Sequence, residues 1–401
     1  MAVYSVSSGF YAKVRERHVP IVRKFTIGSS DYTAFVLKGG WPKITRNWNE
    51  IKPKSTSIKL ANHGAAFNFL ALNPAVLRAE CRVQIGVQYA VGSEEVYPVF
   101  IGTMGRVTYT NGGTVVGMTM VDKFKPFSER TMGSRDQPVD LTSGGYSPSA
   151  LAWTAISCYG GLSSVASSSN PDVDYASFLR WAEVFSTNSV LAQAYFDGQK
   201  VTEVLRKIGR MTGTSILEEG GKVVFARYDL SSTAPTTLTS GDLFAVSAEV
   251  DDQAIINRQT VSAGYDVNSE VFDVFVYDVV SYSVSSYGLR EQNEEDKNVW
   301  YVNSISALDF AQKATYLKKD PRQAYTVEVG TQLLARQVGD TIAMYHGLLG
   351  VAGDPFRMTG YALDMNKMKF QAELDASAQL TFFTLDDATL GVLDGTTNPL
   401  G

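Results

Sequence analysis

The stretch from Val107 to Val121, VTYTNGGTVVGMTMV, sets the strongest local constraint on what this chain can become. Two runs in which apolar and polar residues alternate flank Asn111-Gly112-Gly113, and an Asn-Gly step supplies the positive φ values that a tight hairpin turn requires. Period-two alternation puts one side of each run into a core and the other into solvent, so the segment predicts an antiparallel hairpin. Similar runs recur from Arg23 to Asp122 in FTIG, TAFVLKG, STSIKLA, CRVQIGVQYAV and VYPVFIGTMG, punctuated by Gly, Asn and Ser. Residues 1–130 therefore predict an antiparallel β domain, with one short helical break at Pro74 to Glu80.

The pattern changes after Lys123. Residues 123–145 carry two Pro, three Gly and mixed charges, the composition of a connecting segment. Helical spacing then appears at Leu151, Thr154, Ala155 and Cys158, at Phe178, Leu179, Ala182 and Phe185, and at Val201, Val204, Leu205 and Ile208, with Gly213 placed to close the third helix. SILEEGGKVVFARY follows as a hairpin with Glu219-Gly220-Gly221 at its tip. Residues 131–245 thus predict an α+β middle domain. Past the polar run Ser231 to Asp242, strands resume with NRQTVSAGY and DVFVYDVVSYSV. A helix is expected over Ala307 to Lys318, with Ala307, Phe310, Ala311, Ala314 and Leu317 as its apolar stripe, Ser306 and Asp309 as a weak capping box, and Pro321 barring its continuation. AYTVEVG, Asp340 to Met344, and two strands about an Asn366-centred turn complete a second β domain over 246–376, and 377–401 read as a tail.

Composition narrows the chemistry. Two cysteines, Cys81 and Cys158, far apart in a 401-residue chain without a visible secretory signal, read as small buried hydrophobes in a cytosolic protein. The longest apolar stretches, such as Val271 to Val280, are broken by Asp273 and Asp278, so no membrane helix is expected. A net charge of −5 argues against a dedicated nucleic-acid binder. The three histidines, His18, His63 and His346, have no ligand at a metal-site spacing, and phosphate loops and hydrolase elbows are absent. The acidic run around Glu291, Glu294, Glu295 and Asp296 lacks the spacing of a calcium loop and reads as a solvated hairpin tip. Trp41, Trp48, Tyr97, Phe100, Tyr109, Phe124 and Phe127 fit a β core or a subunit interface better than a sugar-stacking platform. No catalytic, cofactor-binding or metal-binding residue is expected, and an enzyme is not.

Four segments carry a resemblance. Arg82 to Phe127 looks like a strand with an F-x-G step followed by a hairpin ending in Asp; Asp197 to Tyr228 like a helix-plus-hairpin unit; Ile256 to Val261 like an N-x-x-x-V strand; and Ser306 to Tyr345 like a helix, a long strand and a Gly-Asp turn, here Gly339-Asp340. In this order they resemble the baseplate or tail-tip hub proteins of tailed bacteriophages. The resemblance implies an α+β, predominantly antiparallel β fold: two tail-tube-like β-barrel domains with an inserted α+β domain. It implies a structural virion protein, assembled in the host bacterial cytoplasm and resident at the tail tip or baseplate. Its partners would be two further copies in a homotrimer, a tail tube or distal tail protein, and a spike, fibre or tip protein, with phage DNA passing through unheld. A distal tail adaptor, and a receptor- or carbohydrate-binding tail protein using Trp41 or Trp48, are the alternative readings.

Overall fold

A computed structural model describes residues 6–16, 19–48, 50, 51, 54–68, 78–90, 92–186, 191–227 and 236–375. The helical break expected at Pro74 to Glu80 falls largely outside these residues, as do the tail 377–401 and part of the polar run from Ser231. The fold is predominantly antiparallel β with helices, organised on three large sheets.

The first sheet is built on β4 (Ser55–Ala61), β5 (Glu80–Ala90), β6 (Ser93–Thr110) and β7 (Val115–Asp122), in the spatial order β5-β6-β7-β4, extended by β1 (Ile21–Ile27) and β2 (Ser30–Asp31) beyond β5. Asn111, Gly112 and Gly113 all take positive φ, and the hairpin joining β6 to β7 forms where the sequence places it. Alternation sends Val116, Met118 and Met120 of β7 and Thr56, Ile58 and Leu60 of β4 inward.

The third sheet repeats this plan. β20 (Arg322–Val329), β21 (Thr341–His346), β22 (Val351–Asp364) and β23 (Lys369–Asp375) lie in the order β21-β22-β23-β20, again with all three pairings antiparallel. In both sheets three consecutive strands form a meander, and the strand preceding them in sequence returns beside the last, a Greek-key arrangement. The likeness extends to detail. Between β6 and β7 the register slips between Met104 and Arg106; between β22 and β23 it slips between Met358 and Gly360. With Met104 matched to Met358, the inward residues of β7 fall on Phe370, Ala372 and Leu374, which are also buried. β14 (Thr236–Leu238) flanks β21, and β15 (Leu243–Asp251) flanks β20. β3 (Lys43–Asn47) leaves the first unit and pairs with Gly360–Asp364 of β22. The apolar sides of the first and third sheets belong to one continuous core that includes Phe25, Val83, Phe100, Val327, Phe356 and Phe370.

The second sheet draws its strands from both sides of an expected boundary. Its order is β17 (Val271–Val279), β16 (Arg258–Asp266), β19 (Val299–Tyr301), β10 (Ala192–Phe196) and β9 (Val139–Tyr146), with β18 (Glu291–Glu294) parallel to β16. The boundary expected at 245/246 therefore does not follow the pairing. β15 belongs to the third sheet, the chain then crosses into the middle unit for residues 258–318, and it returns at β20. The long helix Ser304–Lys318 packs on β16 and β17, with Ala307 and Ala311 against Val261, Val274 and Val276 in the middle core. Its cap is Asn303, whose side chain accepts from Ser306 N, instead of the expected Ser306–Asp309 box. The connecting segment expected at 123–145 contains a short helix, Lys125–Glu129, and the start of the edge strand β9.

Candidate assembly joint and sheet edges

The hairpin of β12 (Thr214–Glu219) and β13 (Lys222–Arg227) forms where the sequence predicts, with Gly220 and Gly221 at φ +56° and +76°. A two-stranded hairpin is marginal by itself and needs cover on both sides. Here alternation supplies it. Ile216, Val223 and Phe225 face the middle core, where Phe225 stacks on Trp181 at 4.7 Å, while Leu217 and Ala226 join the core shared by the outer sheets. The hairpin is thus a wedge between the middle unit and the two Greek keys.

Its tip is buried. A Cβ built on Gly221 would lie 2.8 Å from Ile101 of β6, so only glycine lets the turn approach that closely. Glu218 and Glu219 are buried with it, and buried carboxyl groups need partners. Glu218 Oε2 lies 2.8 Å from the Arg46 guanidinium of β3, and Glu218 Oε1 accepts from Gly221 N at 2.8 Å. Glu219 Oε1 accepts from the Tyr361 hydroxyl of β22 at 2.6 Å. Asp122, at the end of β7, also faces Glu218; burial first, and the charge of Glu218 second, push its carboxyl up to about 8. Asp122 Oδ1 accepts from Phe124 N at 2.7 Å, and Arg46 also donates to Val99 O of β6 at 3.3 Å. The first sheet, the third sheet and the wedge hairpin therefore contribute to one buried charged joint. It is closed to solvent, so its chemistry is that of a fastening.

The structure scatters the other singled-out residues. Trp41 is buried with Arg23 stacked over it at 5.2 Å, and Trp48 lies half-buried under Arg357 at 5.5 Å, so neither is an open platform for a sugar. Tyr97, Phe100, Phe124 and Phe127 are core residues, whereas Tyr109 is exposed. Cys81 is buried, its thiol pushed up to about 12 by burial, but Cys158 is exposed, contrary to expectation. His63 opens the turn after β4 of the first sheet, His346 ends β21 of the third, and His18 falls outside the described residues. Glu291 and Glu294 sit in a strand, not at a hairpin tip. Glu291 accepts from Thr260 at 2.8 Å, Glu294 lies 3.3 Å from Arg210, and Asp296 pairs with Lys207 at 2.8 Å. These acids face cations and hydroxyls of neighbouring elements, which is why they are neither clustered nor simply solvated. Among the described residues no three His, Cys, Asp or Glu are grouped to hold a metal, and no helix is long and apolar enough to cross a membrane.

What remains accessible are sheet edges. β17 ends the second sheet and exposes Val271, Phe275, Tyr277 and Val279 on one side, while β15 is exposed along nearly its whole length. Sequence patterning marks β17 as a strand, leaves β15 unmarked, and carries no sign of which strand ends a sheet.

No protein-family model and no curated protein matches the sequence. Solved structures do match. A tail protein from Neisseria meningitidis MC58 superposes with a TM-score of 0.56 at 14% identity, covering 89% of this chain and 96% of that one. The 43 kDa tail protein of prophage MuSo2 from Shewanella oneidensis gives 0.56 at 11%, covering 89% and 99%. The fold is that of prophage tail proteins. The prophage tail protein gp18 from Listeria monocytogenes EGD-e agrees, at a TM-score of 0.50 and 10% identity over 89% of this chain and 95% of that one. In each case the likeness runs along most of this chain and nearly the whole of the other.

Proposed function

We propose that the chain is a structural protein of a phage virion: a homotrimeric hub at the distal end of the tail, joining a hexameric tube to a threefold spike or fibre and lining the conduit through which DNA passes. The observation that carries this reading is the repeat of one Greek key in the first and third sheets, with a register slip at the matching point of β6–β7 and β22–β23. A sixfold tube and a threefold spike have no common interface symmetry, but three chains with two similar units each present six similar faces while closing with true threefold symmetry. The wedge and its buried charges hold the two units of one chain in fixed relation, as such a ring requires. In this reading the partners are the tube or distal tail protein on one side and the spike or fibre on the other, DNA passes without being bound, and the protein works without catalytic residues, cofactor or metal. It is assembled in the host cytoplasm and resides at the tail tip.

Mass photometry of the purified chain, alone and mixed with the tail-tube and spike proteins of the same particle, tests the reading. A species of three chains is expected. Monomer under every condition overturns it, and a hexamer favours the distal-adaptor alternative.

A further inference from the structure

The two edges of the second sheet are built differently. At one end β9 carries Gly144 and Gly145 and loses register with β10 between Ala192 and Ala194, the kind of break that keeps an edge from pairing further. At the other end β17, VFDVFVYDV, has no proline, lysine or arginine and keeps its register with β16 from Val271 to Val279. Among the described residues β16 is its only strand partner, so a nine-residue edge stands open.

Alternation separates the two faces of this strand. Val274 and Val276 pack on the middle core, and Asp278 accepts from the Thr315 hydroxyl of the helix Ser304–Lys318. On the opposite face Val271, Phe275, Tyr277 and Val279 are 42 to 63% exposed. An added strand covers such an edge and face together: its main chain pairs with the edge, and its alternate side chains lie beside the apolar row.

Charge narrows the occupant. Asp273 stands within the exposed row without a hydrogen bond or ion pair among the described residues, and Asp266 and Glu270 flank the turn that enters β17. Arg258, stacked on Tyr277 at 4.8 Å, is taken by Glu291 at 3.5 Å, and Lys297 by Glu270 at 4.0 Å, so Asp273 is left without a cation. A second copy of β17 sets acidic strands side by side, and residues 376–401 hold three Asp and no Lys or Arg. A basic strand fits better than either. We propose that the free edge of β17 receives an extended arm of a partner protein, a strand that pairs with Val271–Val279 and sets a lysine or arginine beside Asp273 among alternating apolar residues. The edge belongs to the single chain, so its test does not depend on how many chains the hub holds.

The probe is a fluorescent peptide, VTVTVTKTV, read by anisotropy against the full-length protein, with VTVTVTETV as its counterpart. Antiparallel to β17, each puts its charged residue beside Asp273 and valine beside Val271, Phe275, Tyr277 and Val279. The lysine peptide is expected to bind about tenfold tighter than the glutamate peptide, the span between an attractive and a repulsive cross-strand pair. Asp273→Lys is expected to reverse that order. Methylating alternate backbone nitrogens blocks one edge of the peptide or the other, so at least one of the two methylated forms is expected to lose binding, and full binding by both overturns strand pairing. No binding of the lysine peptide, no preference between the two, or a preference that Asp273→Lys leaves unchanged overturns the proposal and leaves the trimer reading standing.

Discussion

Asp122→Asn offers a quantitative test of the buried joint. The carboxyl of Asp122 is held near 8 in the folded protein against an ordinary 3.8, because burial and then the charge of Glu218 both oppose its ionisation. Below about pH 4 folded and unfolded chains both carry the proton. Between about pH 4 and pH 8 the unfolded chain has lost it and the folded chain has not, so the stability that the protonated joint contributes drains away as pH rises through the folded value. At about 1.4 kcal/mol per pH unit, the whole window is worth at most about 6 kcal/mol, spread over roughly four units. Asparagine keeps an oxygen to accept from Phe124 N, imitates the protonated acid beside Glu218, and cannot ionise. The variant is expected to match the parent near pH 4 to 5 and to exceed it by several kcal/mol at pH 9. Urea denaturation followed by tryptophan fluorescence at pH 5, 7 and 9 reads this directly. Parallel midpoints for parent and variant across that range would refute the claim that Asp122 is kept protonated in the joint.

Other expected outcomes follow from the same wedge. Arg46→Ala leaves Glu218 buried without its cation and is expected to cost about 3 to 5 kcal/mol, whereas Arg46→Met combined with Glu218→Gln costs clearly less; a double-mutant cycle in urea checks both. Trp181→Ala empties the site stacked on Phe225 and is expected to lose about 3 to 5 kcal/mol in the same assay. Gly221→Val places a branched side chain against Ile101 at a positive φ. Its expected loss is about 2 kcal/mol or more, with Gly144→Val, open to solvent, as the control that stays within about 1 kcal/mol.

Much of the β framework was legible because period-two alternation is a local property: β6, β7, β20, β22 and β23 all appear where the sequence places them. What sets strand partners is not local. Nothing around Arg258 announces that its strand joins β19, β10 and β9 instead of the third sheet, so the strand pairing crosses the boundary expected at 245/246. Glu218-Glu219 ahead of two glycines has the composition of a wetted turn, and its burial depends on Arg46 and Tyr361, each more than 140 residues away in sequence. The run from Glu291 misleads for the same reason, since its cations lie on a helix near residue 207. The joint could not be read in advance, because its residue types are common and only their convergence is informative.

In the proposed hub, two similar units per chain make six around a threefold axis. End-on class averages from electron cryomicroscopy of the assembled protein read this arrangement. The trimeric hub predicts a closed ring of six similar β densities, alternating in detail so that true symmetry is threefold, with three middle units. A ring with true sixfold symmetry and six middle units, or no ring at all, would contradict it.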